Sequence, residues 1–181
     1  MEKCRMVFSG SGGQGVITAS IIFAEAAVLY ENLNAVQSQS YGAEARGGAT
    51  RSDVIISDAT IDYPKVIQPN VLVCLTQNAY NKFFRIIRPG GLLVTDRRYV
   101  KIHKKVDAQQ RELPMYESVM DKIGKPIVFN ICMLGAVMGM TKLVSPESIM
   151  TVLKTRIPSD FLDINRQALD LGRNLGEGFT I

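Results

Sequence analysis

The chain has 181 residues, of which 46% are hydrophobic, 21% charged and 7% aromatic, with no Trp. That length supports one domain with a genuine apolar core, and the composition excludes a disordered chain, a fibrous repeat and a disulfide scaffold. The net charge of +4 is spread along the chain without a nucleic-acid-binding motif, so it reads as solvated surface.

In chain order, Arg5 to Ser9 is a short apolar strand, and GSGGQG at Gly10 to Gly15 leads into a helix over Val16 to Tyr30. Val16, Ala19, Phe23, Ala26 and Tyr30 recur at helical spacing. Ile21, Ile22 and Val28 widen that stripe, which predicts burial on more than one side. Asn34 to Ser40 reads as a second strand, YGAEARGG at Tyr41 to Gly48 as a loop, and Arg51 to Ser57 as a third strand. Asp58-Ala59-Thr60 suggests a tight turn that returns through Ile61 and Tyr63 to Pro64.

Val71 to Leu75 is a continuous apolar run, the mark of a strand covered on both faces. A helix is predicted over Gln77 to Ile87, then a stop at Pro89-Gly90-Gly91 and a buried strand from Leu92 to Thr95, ending at Asp96. The basic stretch through Arg97, Arg98, Lys101, Lys104 and Lys105, as far as about Glu112, reads as irregular. Helices are expected over Met115 to Ile123 and Ile127 to Met140. Another follows a Ser145 cap, with Pro146 at its first position and Glu147 in its first turn, and the last runs from an Asp160 cap to about Gly176. Together these predict an α/β class: three layers, a mostly parallel sheet, a Rossmann-like first βαβ unit and a helical C-terminal third.

The first glycine loop follows a generic pattern, and the second loop carries more information. Gly10, Gly12 and Gly15 satisfy G-x-G-x-x-G between a strand and a helix, and Gly13 adds a further residue without a side chain. A helix N-terminus reached over glycines accepts anions, although the same pattern also serves simply to pack a helix on a strand. A nicotinamide fingerprint needs a carboxylate ending the second strand, where this chain has Gln39, Ser40 and Tyr41; Glu31 comes too early and Glu44 lies in the next loop. No Lys-Ser or Lys-Thr follows Gly15, so a P-loop fails as well. In the second loop Arg46 could hold a phosphate or carboxylate, or pair with Glu44, and Arg51 is either a second cation or an edge residue.

Cys4, Cys74 and Cys132 are far apart, with no CxxC. Together with the single His103, read as an exposed loop residue, they make neither a zinc site nor a four-thiolate cluster within the chain. Cys74 and Cys132 read as buried free thiols. No Ser–His–carboxylate or Cys–His set is available, so no complete catalytic centre emerges. The N-terminus carries no targeting signal, and the longest apolar stretch, Ile127 to Met140, is too short to span a membrane. A soluble cytoplasmic protein is expected.

GSGGQGV and SQSYGAEARGGATRSDVIIS together resemble the gamma subunit of the 2-oxoacid:ferredoxin oxidoreductases. The likeness continues through DATIDYPKVIQPNVLVCLTQNAY and GGLLVTD, with a weaker echo in NICMLGAVMGMTKLVSPES. It covers nearly the whole chain, implying a single gamma domain over residues 1–181, and YGAEARGG looks most like the 2-oxoglutarate branch. The resemblance implies a complex that decarboxylates a 2-oxoacid oxidatively with coenzyme A, forming the acyl-CoA (succinyl-CoA from 2-oxoglutarate) and CO2 and reducing ferredoxin. Alpha, beta and ferredoxin-like delta subunits are the implied partners, with thiamine diphosphate, Mg and iron–sulfur clusters held by those other subunits. It also implies that Gly10, Gly12, Gly13, Gly15 and Arg46 form an anion-accepting edge facing coenzyme A or a partner subunit, with no catalytic residue in this chain. A free-standing nucleotide-dependent enzyme and a non-catalytic nucleotide-binding assembly module stand as alternatives.

Overall fold

The computed structural model describes residues 3–40 and 48–179. Its strands are β1 (Cys4–Ser11), β2 (Asn34–Ser40), β3 (Ala49–Ser57), β4 (Val71–Cys74), β5 (Gly91–Asp96) and β6 (Ala108–Leu113), in the order β2-β3-β1-β4-β5-β6 across one sheet. β1, β4, β5 and β6 pair in parallel, while β3 is antiparallel to both β1 and β2. Every strand but β3 thus points the same way, the mostly parallel sheet that the apolar runs predict. The first βαβ unit departs from simple Rossmann order, because β3 is inserted between β1 and β2 and the connection must pass over it.

The helices are α1 (Val16–Tyr30), α2 (Gln77–Phe83), α3 (Met115–Lys122), α4 (Phe129–Thr141), α5 (Pro146–Arg156) and α6 (Leu162–Gly176). Alternate strand residues feed two cores, as a period of two requires. Met6, Phe8, Val54, Ile56, Val73 and Val94 pack under α1 and the C-terminal helices. Val7, Ile55, Leu72, Cys74 and Leu93 face a thinner layer made by α2, Val66 and Val100. Ser20 and Ser52 join the thick layer to the sheet through hydroxyls 2.6 Å apart, and Gln37 Nε2 donates to Ser52 Oγ at 2.8 Å.

Within the thick layer α4 and α6 approach backbone to backbone. Gly135 and Gly139 of α4 face Gly172 and Gly176 of α6, and a Cβ at Gly172 would stand 1.8 Å from the carbonyl oxygen of Cys132. Only glycine fits such a contact.

Five local expectations change. The stretch read as irregular up to Glu112 contains β6, an edge strand whose polar AQQREL sequence hides it because only Leu113 is buried. Asp160 does not cap the last helix; it lies in a 3-10 turn, Ser159–Phe161, and Phe161 takes the cap position without a side-chain bond. The helix over Gln77 to Ile87 is α2 followed by a separate 3-10 turn, Phe84–Ile86. After Asp58 the chain forms no returning strand, and residues 58–70 contain neither helix nor strand. The Ser145 cap is present, with its side chain accepting from Ser148 N–H, and Pro146 opens α5. Val28, Leu29 and Tyr30 at the end of α1 are exposed, so burial of that helix stops short of its last turn.

Candidate functional site

β1 and β4 lie side by side and parallel, yet α1 follows β1 into the thick layer while α2 follows β4 into the thin one. In an open α/β sheet a ligand crevice opens where successive connections leave on opposite faces, at the carboxyl ends of the strands. The loop Ser11–Gly15 occupies that edge. Leu75 N–H, just past β4, donates to Ser9 O at 2.9 Å, so the two strand ends stay joined up to the loop.

Gln14 holds the loop in shape. Its Oε1 accepts the Ser11 N–H at 2.8 Å, its Nε2 donates to Leu75 O at 3.5 Å, and its own N–H donates to Ser11 O at 3.3 Å. The glycines then divide by what surrounds them. A Cβ at Gly10 would meet Gln14 Oε1 at 2.5 Å, and one at Gly15 would meet Asn130 Nδ2 at 2.5 Å. Gly15 also has φ 69° at the N-cap of α1, where left-handed backbone favours glycine. Gly12 and Gly13 are exposed, and nothing lies within 4 Å of an added Cβ at either. Gly10 and Gly15 therefore close the turn, Gly13 needs glycine for its φ of 85°, and Gly12 and Gly13 leave bare backbone in front of the N-terminus of α1.

Asn130, 115 residues away on α4, is not among the candidate residues read from the sequence, yet its Nδ2 donates to Gly15 O at 3.3 Å. Its position inside an apolar run disguises it as an interruption of that run. Arg46 and residues 41–47 lie outside the described residues. The strand ends on either side of them are at this edge, since Ser40 pairs with Arg51 and Ala49 with Ser11. Arg51 is committed internally: Nε and Nη2 reach the buried Asp53 carboxylate at 2.6 and 3.0 Å, and Nη2 also donates to Val66 O. It is therefore not a second cation awaiting a ligand.

The three thiols sit apart on β1, β4 and α4, all buried. Burial pushes the Cys4 thiol up to about 11 and that of Cys132 to about 12, and moves Cys74 in the same direction. Protonated, separated thiols pack as small hydrophobes and do not fit a cluster ligand set. His103 is exposed, with its ring edge-on to Tyr80 at 5.3 Å. Asp96, at the carboxyl end of β5, is fully buried. Its carboxyl is held above the usual carboxylate range by desolvation, against the pull of hydrogen bonds from Tyr116 N–H and Arg98 N–H. Among the described residues no helix is long and apolar enough to cross a membrane.

Comparison with known proteins extends this picture. Residues 5–175 match the family model described as pyruvate ferredoxin/flavodoxin oxidoreductase. The 2-oxoglutarate synthase subunit KorC of Methanocaldococcus jannaschii is 45% identical over 166 residues, covering 91% of this chain and 89% of that protein. Among solved structures, the gamma subunit of a keto/oxoacid ferredoxin oxidoreductase from Geobacter sulfurreducens aligns with TM-score 0.86 at 38% identity, over 97% of this chain and 99% of that one. A 2-oxoglutarate:ferredoxin oxidoreductase from Magnetococcus marinus, solved with 2-oxoglutarate, coenzyme A and succinyl-CoA bound, shares the fold. Its TM-score is 0.88 at 20% identity, and the match spans 99% of this chain but 32% of that one.

Proposed function

Because the chain belongs to the pyruvate ferredoxin/flavodoxin oxidoreductase family and is a gamma subunit of a 2-oxoacid:ferredoxin oxidoreductase, we propose that its complex acts on 2-oxoglutarate. The products are succinyl-CoA and CO2, with ferredoxin reduced. Similarity to KorC, a 2-oxoglutarate synthase subunit, supports the choice of 2-oxoacid. In this reading the chain works beside alpha, beta and delta subunits, which carry thiamine diphosphate, Mg and the iron–sulfur clusters, and is inactive alone.

The chain's own contribution is the glycine edge. The observation that carries it is the bare backbone at Gly12 and Gly13, exposed at the switch point between β1 and β4. Gly10 and Gly15 fold the loop, Gln14 fixes it, and Asn130 holds it against α4. Backbone N–H groups without side chains around them, at a helix N-terminus, suit a phosphate or carboxylate. Coenzyme A supplies such anionic groups, and Arg46, in the sequence between the strand ends Ser40 and Ala49, is the proposed cation.

Two variants test this in the assembled complex. Gly12→Asp places a carboxylate in open space without crowding the fold, and Arg46→Ala removes the cation. The Michaelis constant for coenzyme A should rise about tenfold or more, equivalent to about 1.4 kcal/mol, with assembly intact. An unchanged constant in both variants sinks the coenzyme A role. Decarboxylation of 2-oxoglutarate by the purified chain alone would refute the placement of the chemistry in other subunits.

A further inference from the structure

At the opposite end of β1 from the glycine loop, about 20 Å away at ~3.3 Å per residue, lies a second concave surface of about 570 Å3. Among the described residues, the side chains of Lys3, Arg5 and Lys65 line it together with Asp62, which is 4.0 Å from Lys3. Tyr63 and Ile67 stand at its rim with 61% and 75% of their surface exposed.

The rim belongs to residues 58–70, a connection between β3 and β4 with no helix or strand. Connections of this length without regular structure are uncommon in compact domains and are often functional. This one is tied down along its course. Ser38 Oγ donates to Pro64 O at 3.0 Å, and Val66 N–H donates to the Asp53 carboxylate at 2.9 Å. Arg51 binds Val66 O, and Asn70 exchanges bonds with the Arg5 backbone, its N–H donating to Arg5 O at 2.7 Å and its Oδ1 accepting Arg5 N–H at 2.9 Å. Val66 and Pro69 are buried while Tyr63, Lys65 and Ile67 are exposed, so an aromatic, a cation and an aliphatic face outward from a segment pinned at Val66.

We propose that this segment and the basic hollow beside it form a docking surface for a protein face that is acidic around an apolar anchor, carried by another subunit of the complex. The proposal rests on the multi-subunit reading above. Arg5 and Lys65 suit carboxylates, and an exposed tyrosine and isoleucine beside them match the make-up of protein interfaces. A small polyphosphate fits less well, because phosphate sites draw on free backbone N–H groups, and the Arg5 and Asn70 amides here are bonded to each other's residues. Holding the segment by these hydrogen bonds removes an ordering cost from association.

The test compares the free chain with the assembled complex. Lys65 should be acylated by an amine reagent at least about tenfold more slowly in the complex. A carbodiimide should join Lys65 or Lys3 to a carboxylate of another subunit. Lys65→Glu should weaken assembly by about tenfold or more, most at low ionic strength, without changing the melting temperature of the free chain, since Lys65 is exposed. Equal acylation in both states together with normal assembly of Lys65→Glu overturns the proposal while leaving the family reading intact. Failure of the chain to assemble with the other subunits overturns both. Binding of inorganic tripolyphosphate to the free chain, abolished by Lys65→Glu while Lys65 stays reactive in the complex, replaces the docking surface with a small-polyanion pocket.

Discussion

Gly12 and Gly15 stand three residues apart in one turn and answer to opposite demands. Gly15 combines φ 69° with Asn130 packed where a Cβ would sit, whereas Gly12 faces open space. Gly15→Ala should therefore destabilise the chain by about 1–3 kcal/mol, from backbone strain and displacement of Asn130. Gly12→Ala should stay within about 0.5 kcal/mol, as exposed substitutions do. Urea unfolding of the two variants beside the parent chain measures the contrast, and equal midpoints for both would refute it. The sequence shows the spacing of these glycines because a tight turn is a local requirement. It does not show which of them is structural, because that depends on a residue of α4 brought in by the fold. Arg51 teaches the same lesson: Asp53 is two residues along the same strand, but Val66 becomes visible as a partner only once residues 58–70 are laid against the sheet.

Elements were legible where their periodicity reflects their surroundings. α1 and β2 follow the ranges read from pattern, and β4 and β5 announce themselves as apolar runs because both faces are covered. β6 escaped because an edge strand needs little apolar content, and the start of α6 escaped because Asp160 belongs to a preceding 3-10 turn. The glycines of α4 and α6 read as ordinary members of helical stretches, since nothing in either segment states what the other will bring. Gly172→Ala tests that contact: its Cβ would overlap the Cys132 carbonyl, and moving the helices apart should cost about 1–3 kcal/mol, as overpacking commonly does. Thermal unfolding checks it, and a melting point equal to that of the parent chain would show that the helices separate freely.

For the whole molecule, Glu31 couples the end of α1 to the start of α5. Its Oε1 accepts Ser145 N–H and Ser148 Oγ–H, each at 2.7 Å. Desolvation opposes ionisation, but these hydrogen bonds outweigh it and hold the carboxyl below its usual range. A depressed folded value adds stability above the unfolded carboxylate value of about 4.3, which is lost as pH falls through the lower folded value. Glu31→Gln should be less stable than the parent near neutrality, with the gap narrowing below about pH 4. Denaturant midpoints across pH measure this, and a gap independent of pH would place Glu31's contribution outside its charge. Chain-wide, the glycine edge and the basic hollow occupy opposite ends of β1, so an anionic ligand and an acidic partner face need not compete for the same cations.

The meshed glycines of α4 and α6 also limit how those helices can move. Each hollow on one helix recurs four residues along, a rise of about 6 Å, so the pair has no smooth path for sliding. α6 either keeps its present register or jumps a full step, lifting every glycine contact at once. Asn130 stands at the start of α4 and holds Gly15. The glycine loop is thus tied, through Asn130, to one member of a helix pair whose backbones mesh like a toothed rack.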